Sequence, residues 1–268
     1  MGVPEHHAYD VPRYIGALRG EGELLADAAG RAGMGAAVAS CPGWSVADLL
    51  RHISYVHRWA AGIVAAPVTH PVGEPSEEEI LRQGPDDESL VGWFREGHAA
   101  LVRTLEEASP DLDCWAFLSA PSPLAFWARR QAHETAIHRV DAEQAAAAAG
   151  HGGIDGSQVE PAFAANGVDE LIMGFLARNI AAGRWAGLGG SLAIHAEDGP
   201  GGQADWLVAD GPGGGSVGRG AGPSDCRVTG PARDLYLLLW NRRQADGLCI
   251  TGDPGVLAGF GREVHITW

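Results

Sequence analysis

Two side chains of one helical stretch, Glu134 and His138, have the spacing of metal ligands. Four residues of α-helix turn the chain through about 400°, so both side chains leave the same face one turn apart and can bind one ion. A third potential ligand, His52, lies on a separate helical stretch. A single core histidine is more often structural than a ligand, but the three residues together predict a metal enzyme.

The same stretch contains a near match to the zinc-protease motif HExxH, with one residue too many. His133 and His138 are five residues apart, about 140° from each other around the helix axis, so they cannot share an ion on a straight helix. The usable pair is therefore Glu134 with His138. We expect His133 to lie outside the ligand set, either beside it or on the surface.

Two histidines and one glutamate suit zinc with an open fourth position, as in catalytic zinc sites. Such an ion can bind and deprotonate a thiol, or activate water. Ligand type alone leaves iron, nickel, manganese and copper open. Asp141, Arg139 and Gln131 are candidates for orienting the ligands, although Arg139 and Asp141 are equally compatible with ordinary surface charges.

The composition of the 268-residue chain is that of a globular protein with one large or two ordinary domains. Its formal net charge of -15 argues against a nucleic-acid partner, because phosphate binding needs clustered lysines and arginines. No apolar stretch is long enough for a membrane helix, and no secretion signal is evident. We therefore expect a cytoplasmic enzyme that acts on small molecules as a monomer or homodimer.

The first half of the sequence predicts four helices, at residues 9–31, 45–64, 88–108 and 123–148. The second has the sharpest start, because Ser45 is an N-cap residue and Asp48 stands at the capping-box position. Residues 65–85, with four prolines, are predicted to be a long connection. Four helices with one long connection indicate a bundle, in which cofactor sites are built from side chains on facing helices.

The second and fourth helices each have a stripe of residues along one face, and these stripes include the three potential metal ligands. In the second helix, His52 lies in an apolar stripe with Leu49, Val56, Trp59 and Ile63, so it is predicted to face the core. In the fourth helix the stripe is polar, and periodicity leaves it open whether that stripe faces solvent or the bundle interior. Its residues are Trp127, Arg130, Gln131, Glu134, His138 and Asp141.

The second half of the sequence predicts a small domain that mixes helices and strands. Residues 145–157 run from alanines into a glycine-rich stretch, which places the domains at 1–150 and 158–268. Residues 213–220 are predicted to be a flexible hairpin loop. Helices are predicted at 161–184, 233–243 and 254–260, and strands at 191–197, 205–209, 226–229 and 248–251.

Two segments of this sequence resemble the signatures of the mycothiol-dependent maleylpyruvate isomerase family, part of the DinB-like metal-enzyme superfamily. They are residues 41–52, CPGWSVADLLRH, and residues 133–143, HETAIHRVDAE. Three later segments are similar to the pattern of the family's C-terminal domain: VTGPARDL at 228–235, LWNR at 239–242 and ITGD at 250–253.

The resemblance implies an α+β protein with a DinB-like four-helix bundle followed by a small α/β domain similar to sterol carrier proteins. It implies His52, Glu134 and His138 as the metal ligands, zinc as the metal and mycothiol as the thiol cosubstrate. It also implies a functional arginine at Arg242, with Arg243 and Arg233 remaining open. Family members commonly have glycine where this chain has Asn241.

Three functions remain as hypotheses. The first is a zinc-dependent, mycothiol-utilising isomerase or S-transferase that adds a thiolate to a small electrophile. The second is a metal-dependent hydrolase that uses zinc-bound water. The third is a non-catalytic protein that binds a small apolar ligand in its C-terminal domain.

Overall fold

The computed structural model describes residues 9–66, 68–70, 76–151, 159–202, 204–211 and 213–266. The chain divides into two compact units, residues 10–157 and residues 1–9 with 158–268. The first is helical and the second combines helices with a five-stranded sheet, which confirms the α+β fold class. Most of the glycine-rich stretch between the predicted domains, residues 152–157, lies outside the described residues.

Four long helices form the first unit, as predicted: α1 (Val11–Ala32), α2 (Val46–Ala65), α4 (Leu90–Glu107) and α5 (Pro123–Ala148). The predicted connection at 65–85 also contains a short helix, α3 (Glu77–Leu81), which the prediction from its four prolines did not include. Ser76 and Glu79 form a capping box at its start, and this Ser-x-x-Glu pattern was the available signal. Residues 67 and 71–75 of the connection lie outside the described part of the chain.

The start of α2 is fixed by the predicted capping box. Ser45 Oγ accepts a hydrogen bond from Asp48 N at 3.3 Å, and Asp48 Oδ2 accepts one from Ser45 N at 2.9 Å. This reciprocal pair sets the phase of the helix from its first turn. His52, two turns along, is consequently buried.

Helix α5 is buried on every side along most of its length. Its small residues Ala142, Ala145 and Ala146 pack in the hydrophobic core with Leu25 and Ala29 of α1. Its polar stripe is also buried, so the solvent-facing orientation is wrong. The alanines allow α1 to pack closely on one face, while the polar stripe turns to the other helices of the unit.

The second unit begins with α6 (Pro161–Asp169), a π-helical segment (Glu170–Leu176) and α7 (Ala177–Ala181). Two later helices are α8 (Ala232–Leu239) and α9 (Pro254–Glu263). The strands are β1 (Ser191–Ala196), β2 (Ala204–Gly211), β3 (Gly214–Arg219), β4 (Cys226–Gly230) and β5 (Cys249–Gly252). Among the helices of the described ranges, none has the length and apolarity that a bilayer crossing requires.

The strands form one sheet in the order β3-β2-β1-β4-β5, in which only the β1–β4 pair is parallel. Strand β3 corrects the prediction of a flexible loop at 213–220. Val217 pairs with Val208 in an antiparallel ladder with β2. Glycines conceal the alternation of side chains that marks a strand, but the ladder is made by backbone groups and does not need it.

Candidate metal centre

The structure brings the three predicted ligands together inside the first unit. Glu134 Oε1 lies 3.4 Å from His52 Nε2 and 3.2 Å from His138 Nε2. One donor atom from each residue falls within 4.8 Å of the others. His52 is 2 % exposed, Glu134 3 % and His138 5 %. Helix α2 supplies His52 and helix α5 supplies both other residues, as the helical spacing predicted.

His138 is held in one orientation by a hydrogen bond on its second nitrogen. Its Nδ1 lies 2.9 Å from Asp141 Oδ2, and Asp141 Oδ1 accepts a hydrogen bond from Ser40 Oγ at 2.5 Å. The ionised carboxylate requires a proton on Nδ1, so Nε2 is the nitrogen that can bind a metal after losing its own proton. Burial alone would lower the pKa of His138, but hydrogen bonds to Asp141 and Glu134 outweigh it and raise that pKa to about 9 in the metal-free protein.

Glu134 is held by a buried ion pair. Arg130, one turn earlier on α5, donates from Nη2 to Glu134 Oε2, and Arg130 is fully buried. Burial would raise the pKa of the Glu134 carboxyl, but the Arg130 guanidinium and the two histidines lower it well below its usual value. Because Oε2 is bound to Arg130, Oε1 is the oxygen that faces the histidines.

Trp44 packs against His52, the predicted ligand on α2. Its ring centroid lies 5.0 Å from that of His52, and the rings of His52 and His138 are 5.1 Å apart. Trp44 precedes the N-cap of α2, where Val38 N donates to its carbonyl oxygen at 2.9 Å. An apolar ring beside a donor cluster limits the access of water.

The other predicted site residues have different outcomes. Asp141 contacts His138, and both Asp141 and Arg139 are buried, so their interpretation as surface charges is wrong. Arg139 Nε donates to Glu21 at 2.7 Å and its Nη1 donates to Glu143 at 2.9 Å. His133 is fully buried, with its ring 6.4 Å from that of Tyr14 on α1, so its placement on the surface is also wrong.

Two contributors were not assigned a role from the sequence. The Arg130–Glu134 pair had a signal, since an arginine and a glutamate four apart on a helix can interact. Ser40 had none, because the loop that carries it meets Asp141 across 101 positions of sequence. His57 was also not assigned a role from the sequence. Its Nε2 lies 2.9 Å from Thr135 Oγ1, and its ring centroid lies 5.2 Å from the ring centroid of His98.

The donor set fits a divalent metal ion. Two imidazole nitrogens and one carboxylate oxygen converge from two helices, with one possible ligand atom of each residue within 4.8 Å of the others. Three protein ligands leave a coordination position for a further group, which is the arrangement of catalytic rather than structural sites.

In the second unit, Arg242 follows a left-handed turn at the end of α8. Asn241 has φ 61°, and Arg242 N donates to Leu237 O at 2.7 Å while Asn241 N donates to Leu238 O at 3.0 Å. These two hydrogen bonds form a Schellman motif, which glycine favours and asparagine tolerates. The turn therefore needs a residue at position 241 that accepts the left-handed conformation, which glycine and asparagine do. It also ends α8 at Leu239, four residues before the predicted end.

The side chains of the neighbouring arginines differ. Arg242 Nη1 donates to Trp240 O at 2.8 Å. Arg243 forms an ion pair with Asp234 and donates from Nε to Gln244 O. Arg243 is thereby committed to local contacts that stabilise the turn.

Two family models match the chain. One, described as "Mycothiol maleylpyruvate isomerase N-terminal domain", covers residues 15–143. The other, described as "MDMPI C-terminal domain", covers residues 162–259. Together they span both compact units. No sequence among the curated proteins matches the chain.

Two solved structures are similar in fold. One is a crystal structure of the mycothiol-dependent maleylpyruvate isomerase, with 14% sequence identity and a TM-score of 0.60. The other is a histidine-to-alanine mutant with the same description, with 15% identity and a TM-score of 0.60. Each comparison covers 93% of this chain and 96% of the other. At this identity the likeness shows the fold.

Proposed function

Because the chain belongs to the mycothiol maleylpyruvate isomerase family, we propose that it is a zinc-dependent enzyme that adds the thiolate of mycothiol to a small electrophile. His52, Glu134 and His138 are the proposed zinc ligands. When bound, a divalent metal lowers the pKa of a coordinated thiol and so supplies a thiolate at neutral pH. The convergence of these three buried side chains is the observation that carries the proposal.

The charges around the ligands support an anionic partner. Arg130 and Asp141 carry opposite charges and balance each other, and Glu134 offsets half of the charge of a divalent ion. One unit of positive charge then remains in a buried environment, where an uncompensated charge is costly. A thiolate neutralises it, whereas a neutral thiol does not.

The residues around the ligands have distinct roles in this proposal. Asp141 holds the proton on His138 Nδ1, and Arg130 keeps Glu134 ionised and directs Oε1 to the site. Trp44 shields His52 from water. These contacts preorganise the ligands, which lowers the cost of assembling the site when the metal and thiol bind.

The thiolate then attacks an electrophilic carbon of the substrate. In an isomerase, addition converts a cis double bond conjugated to a carbonyl into a single bond, and the displaced electron pair moves onto the carbonyl as an enolate. After rotation about the single bond, the enolate re-forms the double bond in the trans form and expels the thiolate. In an S-transferase the carbon–sulfur bond is kept, and either the enolate takes up a proton or a leaving group departs with the electron pair. Thiolate formation is common to both reactions, so the site supports either.

Arg242 is the proposed catalytic arginine. Its support is its place in the LWNR segment and the left-handed turn at Asn241 that fixes its backbone.

The test is calorimetric titration of mycothiol into the purified protein, with and without a chelator, combined with elemental analysis. We expect stoichiometric zinc and metal-dependent thiol binding in the wild type, and loss of both in His52→Ala. His133→Ala, which removes a buried histidine of α5 outside the ligand set, is the matched control and should retain zinc. Metal-free wild type, or thiol binding that survives the chelator, would overturn the proposal. Turnover of esters or amides without thiol would indicate a hydrolase instead.

A further inference from the structure

Gln131 is a fully buried amide whose hydrogen-bonding groups are unused. Its exposure is 0 %, and within the described part of the chain neither Oε1 nor Nε2 has a hydrogen-bond partner. Folded proteins rarely leave buried polar side chains unpaired, because such groups lose their hydration without compensation. A glutamine in this state indicates a partner that is not part of the chain.

The position of Gln131 on α5 connects it to the metal centre. It lies about 60° around the helix from Glu134 and about 40° from Trp127 and Thr135, at 100° per residue. All three of these neighbours contact α2: Glu134 faces His52, Thr135 bonds His57, and the ring centroid of Trp127 lies 5.2 Å from that of Trp59. Gln131 is thus on the face of α5 that packs against α2.

Along the axes of α2 and α5, the interface contains two successive layers: the three donor residues (the donor level) and a group of tryptophans (the aromatic level). Trp59 is seven residues after His52, and Trp127 is seven residues before Glu134, so the aromatic pair lies about two turns, or about 10 Å, from the ligands on both helices. Trp115 adds to the aromatic level, with its ring centroid 5.9 Å from that of Trp59. Gln131 falls between the donor level and the aromatic level.

A few polar groups set among apolar and aromatic walls are typical of small-molecule sites, where the polar groups fix the orientation of the ligand. A primary amide offers two donors and one acceptor, so it is complementary to another amide. In a thiol built on an acylated cysteine, an amide lies two carbons from the sulfur. A sulfur held at the ligand level therefore places that amide about one helical turn away, within reach of the long glutamine side chain.

We propose that Gln131 is a binding residue that hydrogen-bonds the amide beside the sulfur of the thiol cosubstrate. This inference rests on the proposed function and deepens it, because it names a determinant of thiol specificity. The metal would select for a thiolate of any kind, and Gln131 would select for an acylated cysteine or cysteamine over a plain alkyl thiol.

The experiment compares two thiols on the zinc-loaded protein by calorimetry: N-acetylcysteamine, which has the amide, and 1-propanethiol, which lacks it. In Gln131→Leu we expect the affinity for N-acetylcysteamine to fall about tenfold, as for loss of a buried hydrogen bond, and that for 1-propanethiol to change by less than about twofold. The control Gln144→Leu changes a partly exposed glutamine of the same helix and should affect neither. Equal losses for both thiols, or no loss, would overturn the inference.

A second measurement separates binding from structural support. Because the amide is unpaired in the ligand-free chain, Gln131→Leu should leave the urea midpoint of the metal-free protein unchanged or raise it. A lower midpoint would show that the amide stabilises the fold, through bound water for example, and would count against a role in binding. If the zinc-loaded wild type binds neither thiol, the proposed function itself fails, and the role of Gln131 fails with it.

Discussion

The Nδ1 atom of His138 lies 2.9 Å from Oδ2 of Asp141, three residues further along the same helix, and this contact fixes which nitrogen faces the ligand cluster. Asp141 is fully buried and is itself oriented by Ser40. The histidine is therefore presented for metal binding before any metal arrives.

We expect Asp141→Asn to weaken zinc binding by about 10- to 100-fold, because the amide supports Nδ1 protonation less well than the carboxylate does. Ser40→Ala removes only the outer hydrogen bond and should cause a smaller loss. Competition with a chromogenic chelator measures both affinities. Wild-type affinity in Asp141→Asn would contradict the orienting role.

Zinc binding should release a proton from His138. Its pKa of about 9 in the metal-free protein means that it is protonated at neutral pH, and the metal must displace that proton. Affinity should accordingly fall about tenfold for each pH unit below 9. Calorimetry in buffers of different ionisation enthalpy counts the protons released, and a count near zero at pH 7 would contradict this expectation.

The stability of the metal-free protein should fall as the pH rises from neutral to alkaline. The folded pKa of His138 is above its usual value of 6.5, so its stabilising contribution is complete below pH 6.5 and is lost as the pH passes about 9. Urea unfolding of chelator-treated protein at pH 7, 8 and 9 tests this. His138→Gln should show a flatter dependence, and a wild type equally stable at all three values would exclude the effect.

Arg130→Met should destabilise the metal-free protein by about 3–5 kcal/mol, because it leaves the Oε2 atom of the buried Glu134 carboxylate without its guanidinium partner. The double variant Arg130→Met with Glu134→Gln should recover much of the loss. Urea unfolding of the wild type, the two single variants Arg130→Met and Glu134→Gln, and the double variant gives the coupling energy between the two residues. Additive effects would show that the two residues do not act as a pair.

Asn241→Ala should lower stability by about 1–2 kcal/mol, because alanine resists the left-handed conformation and cannot donate to Val264 O as Asn241 Nδ2 does at 2.9 Å. Asn241→Gly loses the hydrogen bond but accepts the backbone conformation, so it should lose less. Thermal unfolding ranks the variants. A glycine variant less stable than the alanine variant would refute the backbone argument.

The helices of the first unit could be predicted because caps and periodicity are local signals. Ser45 and Asp48 set the start of α2, and the apolar stripe around His52 placed that residue in the core. The orientation of α5 could not be predicted, since the alanine face and the polar face are both buried and periodicity distinguishes only a buried face from an exposed one.

Other features depended on contacts that the sequence does not encode locally. Ser40 reaches Asp141 from a distant loop, so no spacing indicates the pair. Strand β3 is rich in glycine and is defined by its ladder with β2 rather than by side-chain alternation. Whether the amide of Gln131 is paired depends on the groups that surround it in three dimensions, so no local pattern indicates it.

Residues 40–45 contact both helices that carry the proposed ligands. Ser40 bonds Asp141 behind His138, Trp44 packs on His52, and Ser45 caps α2. A displacement of this segment would therefore remove support from both histidines together. The geometry of the proposed site therefore depends on a short segment that contributes none of the proposed ligands.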